Sequence, residues 1–504
     1  MSSLIWLLTE VTATRSFVKT EANAVFVRKN AAKTRYFILD LIAGFKYINK
    51  HFRIVKTRGK GLFFSPAHLL ILFALFAAVF LSGCATNPVS GRKQLMFLSE
   101  SGEVQLDREN SPHQISADYG VVQDADLNRY VSAVGGQLTE VSHRPDMPYN
   151  FNVVNAVYIN AYAFPGGTIA VSRGMLVEMD SEAELAAVLG HEIGHVCSRH
   201  TAQQYTIGML GSAAVSVAAL VVKQKNSEYA GLVSGLGSMA SGALLARYSR
   251  ADEREADALS LEYMTKARYN PQGCINVMDI LRKVSTNEPS AVEMLFATHP
   301  MSEERYATAV REVAEKYRAC TNYPVNRERF HEKTVRLMAI KGAILKMREG
   351  EKAIAENNLD AAESALREAL REAPRDYAGL MLMAKCQLAR KNAVEAEKYA
   401  RQAHEVYPEE PQAMHLLGMS KTQQQKYDEA YVAFSEYEKM LPGNPNTVFF
   451  KGYALEGMGR RNEAAQQYMR YMNSVQQGDY YNHAYQSLSG WGYMRQSPQR
   501  QRYR

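Results

Sequence analysis

The sequence predicts a mostly α-helical chain in which a small α+β domain is followed by an α-solenoid. Three observations predict this fold: one long helix with regular apolar spacing, a strand–turn–strand segment just before it, and a 34-residue repeat near the C-terminus. The 504 residues exceed the length of one ordinary domain, so at least two are expected.

The α+β part is predicted from residues 151–203. "FNVVN" and "INAYAFPGGTIAVSRGML" indicate strands around a Pro-Gly-Gly turn, with a helix start after the last strand. Ser181 and Glu184 then form a capping-box pattern. The apolar residues that follow have near-helical spacing: Leu185, Val188, Leu189, Ile193 and Val196. We therefore expect a helix through "VLGHEIGHVCSRH".

The solenoid is predicted from three residue columns with one 34-residue step. They are Gly350, Ala384, Gly418 and Gly452; Ala362, Ala396, Ala430 and Ala464; and Pro374, Pro408 and Pro442, with Gln476 in the fourth proline position. This register resembles the tetratricopeptide repeat, a helix–turn–helix unit whose stacks bind other proteins on a concave face. We expect four repeats over 343–476, without catalytic chemistry, and a C-terminal cap and basic tail over 477–504.

The net charge of +7 belongs to the start of the chain. Residues 1–60 carry 12 Lys/Arg and 3 Asp/Glu, and the residues from 84 onward carry 47 and 49. The body of the protein has no basic excess, so no nucleic-acid partner is expected.

Residues 1–83 are predicted to be a leader with a lipoprotein signal peptide. The apolar run Leu69–Leu81 is shorter than a membrane span and ends in "LSGC", which resembles a bacterial lipobox. That resemblance implies lipidation of Cys84, and Ala85 after it implies sorting to the outer membrane. The alternative is a plain signal anchor. We interpret residues 1–55 as a misassigned start.

The remaining cysteines are Cys197, Cys274, Cys320 and Cys386, too scattered to suggest a disulfide framework or a cysteine-type zinc site. We interpret Cys197 as a packing residue. The apolar stretches Ile207–Val222 and Tyr229–Ala246 favour a helical hairpin packed on the domain, because the first is too short for a membrane span. A membrane-embedded pair is the alternative.

The chemistry is predicted from "HEIGH". His191 and His195 are four apart on one helix, so both imidazoles face the same side and suit a single zinc ion. Glu192 beside them suits a general base. The alternative is a polar helix face with exposed histidines. His200 is not expected to be a ligand, because its spacing does not match the face of the other two.

A third ligand is expected downstream, in "RADEREADALSLEYM". Glu253 suits that role, and Asp257, one turn later, suits a hydrogen bond to a ligating histidine. We interpret Asp252 and Glu255 as solvated charges. The expected content is one Zn²⁺ per chain in a zincin-type metalloprotease domain over 84–335.

Together these motifs resemble the metallopeptidase family of HtpX and the CAAX prenyl proteases. The further matches are "NPVSGRKQL", "NAYAFPGGTIAVSRGML", "EREAD" and "THPMSEER". The lipobox and repeats are similar to the BepA-like members, which are periplasmic proteases and chaperones of outer-membrane assembly. The chain lacks the late cysteine pair of those members.

The resemblance implies roles by position. His191, His195 and Glu253 match zinc ligands, Glu192 matches the base, and Asp257 matches a residue that supports a ligand or donates a proton. His299 matches a histidine that stabilises an oxyanion or regulates the metal, and Arg305 matches an arginine near the substrate.

The implied function is a lipid-anchored zinc endopeptidase of the Gram-negative periplasm that degrades misfolded or stalled envelope proteins. We expect the polypeptide substrate to pair beside the "GTIAVS" strand. The repeats would bind an envelope-assembly protein. The alternative is an assembly factor, or chaperone, with a largely latent protease.

Overall fold

The structure is a computed structural model that describes residues 84–206 and 248–494. All of them belong to one compact unit, Ala77–Arg504. The leader before Cys84, the predicted apolar hairpin and the arginines of the C-terminal tail lie outside the described residues. Among the described helices, none combines the length and apolar character needed to span a membrane.

Two small sheets lie in the N-terminal part. An antiparallel hairpin pairs β1 with β2, and a three-stranded sheet has the order β3-β5-β4, in which β5 runs parallel to β3 and antiparallel to β4. The strands are β1 Cys84–Thr86, β2 Lys93–Leu95, β3 Asn150–Val154, β4 Ala161–Ala163 and β5 Thr168–Ser172.

The expectation that a substrate pairs beside "GTIAVS" is wrong. That segment is β5, the central strand, and its main chain already pairs with a neighbour on each side. The expectation needed a free edge on this strand, and the sequence alone does not show that β3 pairs with its far side. The edge next to the histidine helix belongs to β4.

Residues 84–206 and 248–339, as far as the structure describes them, form nine helices that begin and end within these ranges. They are α1 Glu100–Ala117, α2 Ala125–Glu140, α3 Arg173–Leu176, α4 Glu182–Cys197, α5 Arg250–Lys266, α6 Gln272–Asn287, α7 Glu293–Thr298, α8 Glu303–Glu315 and α9 Arg327–Ala339. Short 3₁₀ turns lie at Pro289–Val292 and Arg318–Asn322.

Helix α4 is the central element of this part, because almost all of its residues are buried. Its N-cap is Ser181, whose side chain accepts a hydrogen bond from the Glu184 amide at 3.4 Å. The Glu184 carboxylate accepts from the amide of Asp180 at 2.6 Å rather than from Ser181, so only half of the predicted capping box forms.

Helix α5 packs against α4 at two glycines. A Cβ on Gly194 would lie 3.2 Å from the Ala256 Cα, and one on Gly190 would lie 3.1 Å from the Ser260 Oγ. The Ser260 hydroxyl also donates to the Ala187 carbonyl oxygen at 2.7 Å. This close approach brings Glu253, one turn before Ala256, opposite the histidines of α4.

The C-terminal part is an α-solenoid, which confirms the predicted fold class. Its helices are α10 Lys341–Ala355, α11 Leu359–Glu372, α12 Tyr377–Ala389, α13 Ala393–Val406, α14 Gln412–Gln423, α15 Tyr427–Met440, α16 Pro445–Gly457, α17 Arg461–Ser474 and α18 Asp479–Gly490. Consecutive helices from α10 to α17 form four antiparallel pairs.

The repeated small residues let the two helices of each pair approach closely. A Cβ on Gly418 would lie 2.5 Å from the Phe434 ring, and one on Gly452 would lie 2.8 Å from the Tyr468 ring. The alanine column, from Ala362 to Ala464, is fully buried. The 34-residue pattern therefore reports the packing inside each repeat.

The solenoid packs on the N-terminal part through buried polar contacts. Arg173 makes a two-pronged ion pair with Asp376, at 2.5 and 2.9 Å. The Tyr119 hydroxyl donates to Glu351 and accepts from Lys385, and the Ser116 hydroxyl donates to Glu410. The repeats are thus built against the domain that carries the histidine helix.

Candidate metal centre

Four side chains converge where α4, α5 and the end of α7 meet. His191, His195, Glu253 and His299 each offer one ligand atom, and these atoms lie within 4.8 Å of one another. It is the only group in residues 84–206 and 248–494 with this property. Three members are the ligands predicted from sequence.

The two motif histidines point the same nitrogen into the cluster. Nε2 of His191 lies 3.0 Å from Nε2 of His195. The Glu253 carboxylate lies 3.6 Å from the first of these nitrogens and 3.4 Å from the second. Two imidazoles and one carboxylate are the donor set of a catalytic zinc site.

Asp257 lies behind His191, as its predicted supporting role requires. Its Oδ1 lies 3.0 Å from the Nδ1 of His191, on the opposite side of the ring from the cluster. A carboxylate there fixes the proton on Nδ1 and leaves Nε2 free as a ligand atom.

Arg305 is occupied by the two carboxylates of α5. Its Nε and Nη2 each donate to Asp257 at 2.7 Å, and its Nη1 lies 2.6 Å from Glu253 Oε2 and donates to the Pro300 carbonyl oxygen at 3.1 Å. Burial would raise the pKa of Asp257, but the Arg305 guanidinium holds it below its usual value. Arg305 thus keeps Asp257 ionised and holds both carboxylates in place.

Glu192 lies beside the cluster and is 2% exposed. Burial raises the pKa of its carboxyl, and its Oε2 has no hydrogen-bond partner among the described residues. A buried oxygen without a partner fits a carboxylate that faces a reacting water. The donor set and this free oxygen together fit a bound zinc ion.

His299 joins the cluster from the end of α7. Its Nδ1 lies 3.0 Å from Glu253 Oε1 and 3.4 Å from Nε2 of His191, and its Nε2 lies 3.8 Å from Glu192 Oε1. Burial would raise the pKa of Glu253, but the neighbouring His299, His195 and His191 hold it well below its usual value.

Three neighbours of the cluster were missed by sequence reasoning. Tyr248 stacks on the His195 ring at 3.8 Å between centroids, and His200 Nδ1 lies 3.0 Å from His195 Nδ1. Glu255, interpreted as a solvated charge, lies 3.3 Å from His200 Nε2. Asp252, also interpreted as a solvated charge, forms a capping box with Ser249 at the start of α5. A tyrosine just before the "EREAD" helix is the one signal that sequence offered.

An apolar cavity of about 70 Å³ opens beside Glu192. It lies between α4, α5, α6 and α7, and its lining includes Val188, Cys274, Met278 and Leu281. Burial raises the pKa of the Cys274 thiol to about 12, so this residue contributes an apolar wall. Cys197 is fully buried, in keeping with its interpretation as packing.

Family comparisons agree with this geometry. A model of peptidase family M48 matches residues 125–313, a span that contains the whole cluster and both α4 and α5. Residues 125–313 of this chain are a domain of peptidase family M48. The M48 domain is a metallopeptidase domain, and a tetratricopeptide-repeat model matches residues 353–419 behind it.

Curated relatives match less than half of this chain. The beta-barrel assembly-enhancing protease of Yersinia pestis is 30% identical over 208 residues, which are 39% of this chain and 41% of the relative. Its namesake in Escherichia coli (strain K12) is 27% identical over 244 residues, 46% and 48% of the two chains. The chain thus spans less than half the length of these two relatives.

A shorter relative is the metalloprotease YcaL of Escherichia coli (strain K12), 28% identical over 213 residues, which are 41% of this chain and 75% of the relative. The solved structure of YrrB, a TPR protein with an unusual peptide-binding site, has a TM-score of 0.27 and 16% identity over 41% of this chain.

Proposed function

We propose that this chain is a zinc-dependent endopeptidase of the bacterial envelope that degrades misfolded or stalled outer-membrane and periplasmic proteins. The observation that carries the proposal is the convergence of Nε2 of His191, Nε2 of His195 and the Glu253 carboxylate, with Glu192 buried beside them. The relatives named beta-barrel assembly-enhancing protease support the envelope setting.

In this proposal His191, His195 and Glu253 hold the zinc ion, while Asp257 and Arg305 orient them. The ion would polarise the scissile carbonyl and lower the pKa of water towards about 7. Glu192 would take a proton from the attacking water through its free Oε2 and deliver it to the leaving nitrogen. Burial raises the pKa of this carboxyl and so favours its protonated state after the first transfer.

His299 would act in one of two ways. With Nε2 3.8 Å from Glu192, it could donate to the oxyanion that forms on the substrate carbonyl. With Nδ1 among the ligand atoms, it could instead occupy the open position until substrate displaces it. Both roles follow from the same place at the end of α7.

The substrate would pair with β4. On the side of β5, the main-chain hydrogen bonds of β4 are made by Asn160, Tyr162 and Phe164. The main-chain groups of Ala161 and Ala163 therefore point away from β5. The Ala163 carbonyl oxygen accepts from Thr201, and Ala161 lines the cavity beside Glu192. Ala161 is therefore the pairing point nearest the catalytic carboxylate.

The remaining assignments concern partners and location. The repeats over 343–476 would bind an envelope-assembly protein, since stacked repeats present an extended concave surface. Lipidated Cys84 would tether the protein to the outer membrane from the periplasmic side. No observation favours a nucleic-acid partner.

The second candidate is an assembly factor with a largely latent protease. It is favoured by His299, which lies close enough to the candidate ligands to hold the site closed. A Glu192→Gln protein that still supports outer-membrane assembly in cells would favour this candidate over the protease.

The test of the protease is Glu192→Gln with an unfolded polypeptide as substrate. We expect zinc content to stay at one per chain and kcat/KM to fall by about 10²–10⁴, since only the base is lost. Glu262→Gln, a half-exposed carboxylate on the outer side of α5, is the matched control and should cleave normally. Unchanged cleavage by Glu192→Gln would overturn the assignment.

A further inference from the structure

Each of the two ring nitrogens of His195 lies close to another histidine. Nε2 faces the cluster, 3.0 Å from His191 Nε2, while Nδ1 lies 3.0 Å from the Nδ1 of His200. His195 and His200 are 0% and 1% exposed, so water does not take either place. The candidate ligand is thus held by a second histidine.

His200 reaches this place because the chain leaves the helix. Helix α4 ends at Cys197, and Arg199 adopts a left-handed backbone with φ of 60° before residues 200–206 turn helical again. On a continuous helix a residue five positions on would point away from His195. A left-handed backbone at a non-glycine residue costs about 1–2 kcal/mol.

Side-chain contacts hold Arg199 in that conformation. Its Nε donates to Glu103 at 2.7 Å and its Nη2 donates to the Leu98 carbonyl oxygen at 2.8 Å, and Arg199 is buried. Arg144 binds the other oxygen of Glu103 at 2.8 Å. Strain that the surroundings maintain in this way is characteristic of functional sites.

The donors and acceptors then align in one direction. A histidine that ligates through Nε2 carries its proton on Nδ1, so His195 donates to Nδ1 of His200. The proton of His200 must then lie on its Nε2, which faces Glu255 Oε2 at 3.3 Å and Asp252 Oδ1 at 3.6 Å. Every donor therefore faces an acceptor along the contacts from Glu255 through His200 to His195.

We propose that His200, backed by Glu255, is a positioning residue that fixes which nitrogen of His195 faces the metal. This rests on the proposed function only in requiring that a metal binds. Tyr248 stacks on His195 with planes 22° apart and fixes the ring plane. Stacking does not distinguish the ring from its flipped form, whereas the bond to His200 does. His191 receives the same support from Asp257 directly.

The test measures metal binding in a Glu192→Gln background, where self-cleavage is absent. Zinc dissociation constants come from competition with a chelator, and the visible spectrum of the cobalt(II)-loaded protein reports ligand geometry. Three variants are compared: His200→Leu, His200→Asn and Glu255→Gln. Glu262→Gln, on the same helix with the same loss of charge, is the control.

We expect His200→Leu to weaken zinc binding by about 10–100-fold and to alter the cobalt spectrum. His200→Asn, whose amide oxygen can accept from His195, should recover most of the loss. Glu255→Gln should weaken binding by a smaller factor, and Glu262→Gln should leave it unchanged. A merely structural His200 would lower Tm in all three variants while zinc affinity and spectrum stayed constant.

Two results would overturn the proposal. One is zinc affinity within twofold of the parent in His200→Leu. The other applies if that variant does not fold: an unchanged affinity and cobalt spectrum in Glu255→Gln, whose carboxylate is partly exposed and tolerates the change. If the parent protein itself binds no zinc, the proposed function fails. If the parent binds zinc and one of these two results is obtained, only the role of His200 fails, so the two failures are distinguishable.

Discussion

Arg305 is the residue that ties the two carboxylates of α5 together. Its guanidinium contacts Asp257 through two nitrogens and Glu253 through a third, and only 8% of the residue is exposed. A planar fork makes these contacts at once, whereas an ammonium group makes one or two. Arg305 therefore sets the orientation of one candidate ligand and of the group that supports another.

We expect Arg305→Lys to lower both zinc affinity and kcat/KM by about 10-fold or more, because the charge stays but the fork is lost. Zinc titration and peptide cleavage measure the two effects. Arg282→Lys, a partly exposed arginine on α6, is the control and should change neither. Wild-type affinity in Arg305→Lys would show that the fork is dispensable.

Among single residues, the sequence predicted the donor atoms and the support of His191 by Asp257, but not the support of His195 by His200. His191, His195 and Glu253 follow from helical spacing and from the chemistry of zinc. His200 was set aside because its spacing assumed a continuous helix, and no pattern reveals the left-handed Arg199 that interrupts it. Glu255 was misinterpreted for the same reason, since its partner is five residues beyond His195.

At the scale of elements, the distance between α4 and α5 depends on small residues. Gly190 and Gly194 face Ser260 and Ala256, and the contacts leave no room for a branched side chain. The motif glycines thus have a structural role beside the histidines. The sequence predicted both helices, but it did not predict that they touch at these positions.

We expect Gly194→Val to push α5 away from α4, because its Cβ would begin 3.2 Å from the Ala256 Cα. Zinc affinity should fall at least 10-fold, measured by chelator competition. Gly136→Ala in α2 is the control: its Cβ would meet open space, and alanine favours a helix by up to about 1 kcal/mol. That control should raise Tm, and a similar rise in Gly194→Val would contradict the packing argument.

The apolar cavity is also set by elements, since α4, α5, α6 and α7 enclose it. An engineered cavity of about 150 Å³ accepts benzene, so one of about 70 Å³ suits a branched aliphatic side chain better than an aromatic one. We expect cleavage next to Val, Leu or Met to exceed cleavage next to Phe or Trp. Mass spectrometry of products from a peptide library measures this preference.

Cys274→Ala should enlarge the cavity and raise cleavage beside Phe relative to Leu by severalfold. Cys386→Ala, which removes a buried thiol from the solenoid helix α12, is the matched control and should leave the ratio unchanged. If both variants keep the wild-type ratio, this cavity does not select the side chain.

For the whole molecule, the contact between solenoid and M48 domain was beyond sequence reasoning. The 34-residue step predicted the repeats because it records packing inside each unit. Contacts such as Arg173 with Asp376 join residues about 200 positions apart, and neither residue belongs to the three columns from which the repeats were predicted. Removing one partner of such a buried pair typically costs about 3–5 kcal/mol, because the other charge is left buried and unpaired.

One carboxylate in this interface makes its stability depend on pH. Glu410 is buried against Ser116 and Gly120 of the N-terminal part, and burial raises the pKa of its carboxyl from an ordinary 4.5 to about 7. Between these two pH values the folded protein therefore keeps a proton on Glu410 that the unfolded chain has released. This contribution to stability is complete below about pH 4.5 and is lost as the pH rises towards 7.

We expect Glu410→Gln to remove that loss, because glutamine stays neutral and keeps the hydrogen-bonding shape. At pH 8 the variant should be more stable than the wild type by up to about 3 kcal/mol, and at pH 5 the two should differ little. Urea midpoints at both pH values measure the effect. Glu409→Gln, the exposed neighbour, should follow the wild type at each pH. Parallel curves for Glu410→Gln and wild type would mean that Glu410 is ionised in the folded interface, and that the solenoid holds the M48 domain equally well across this range.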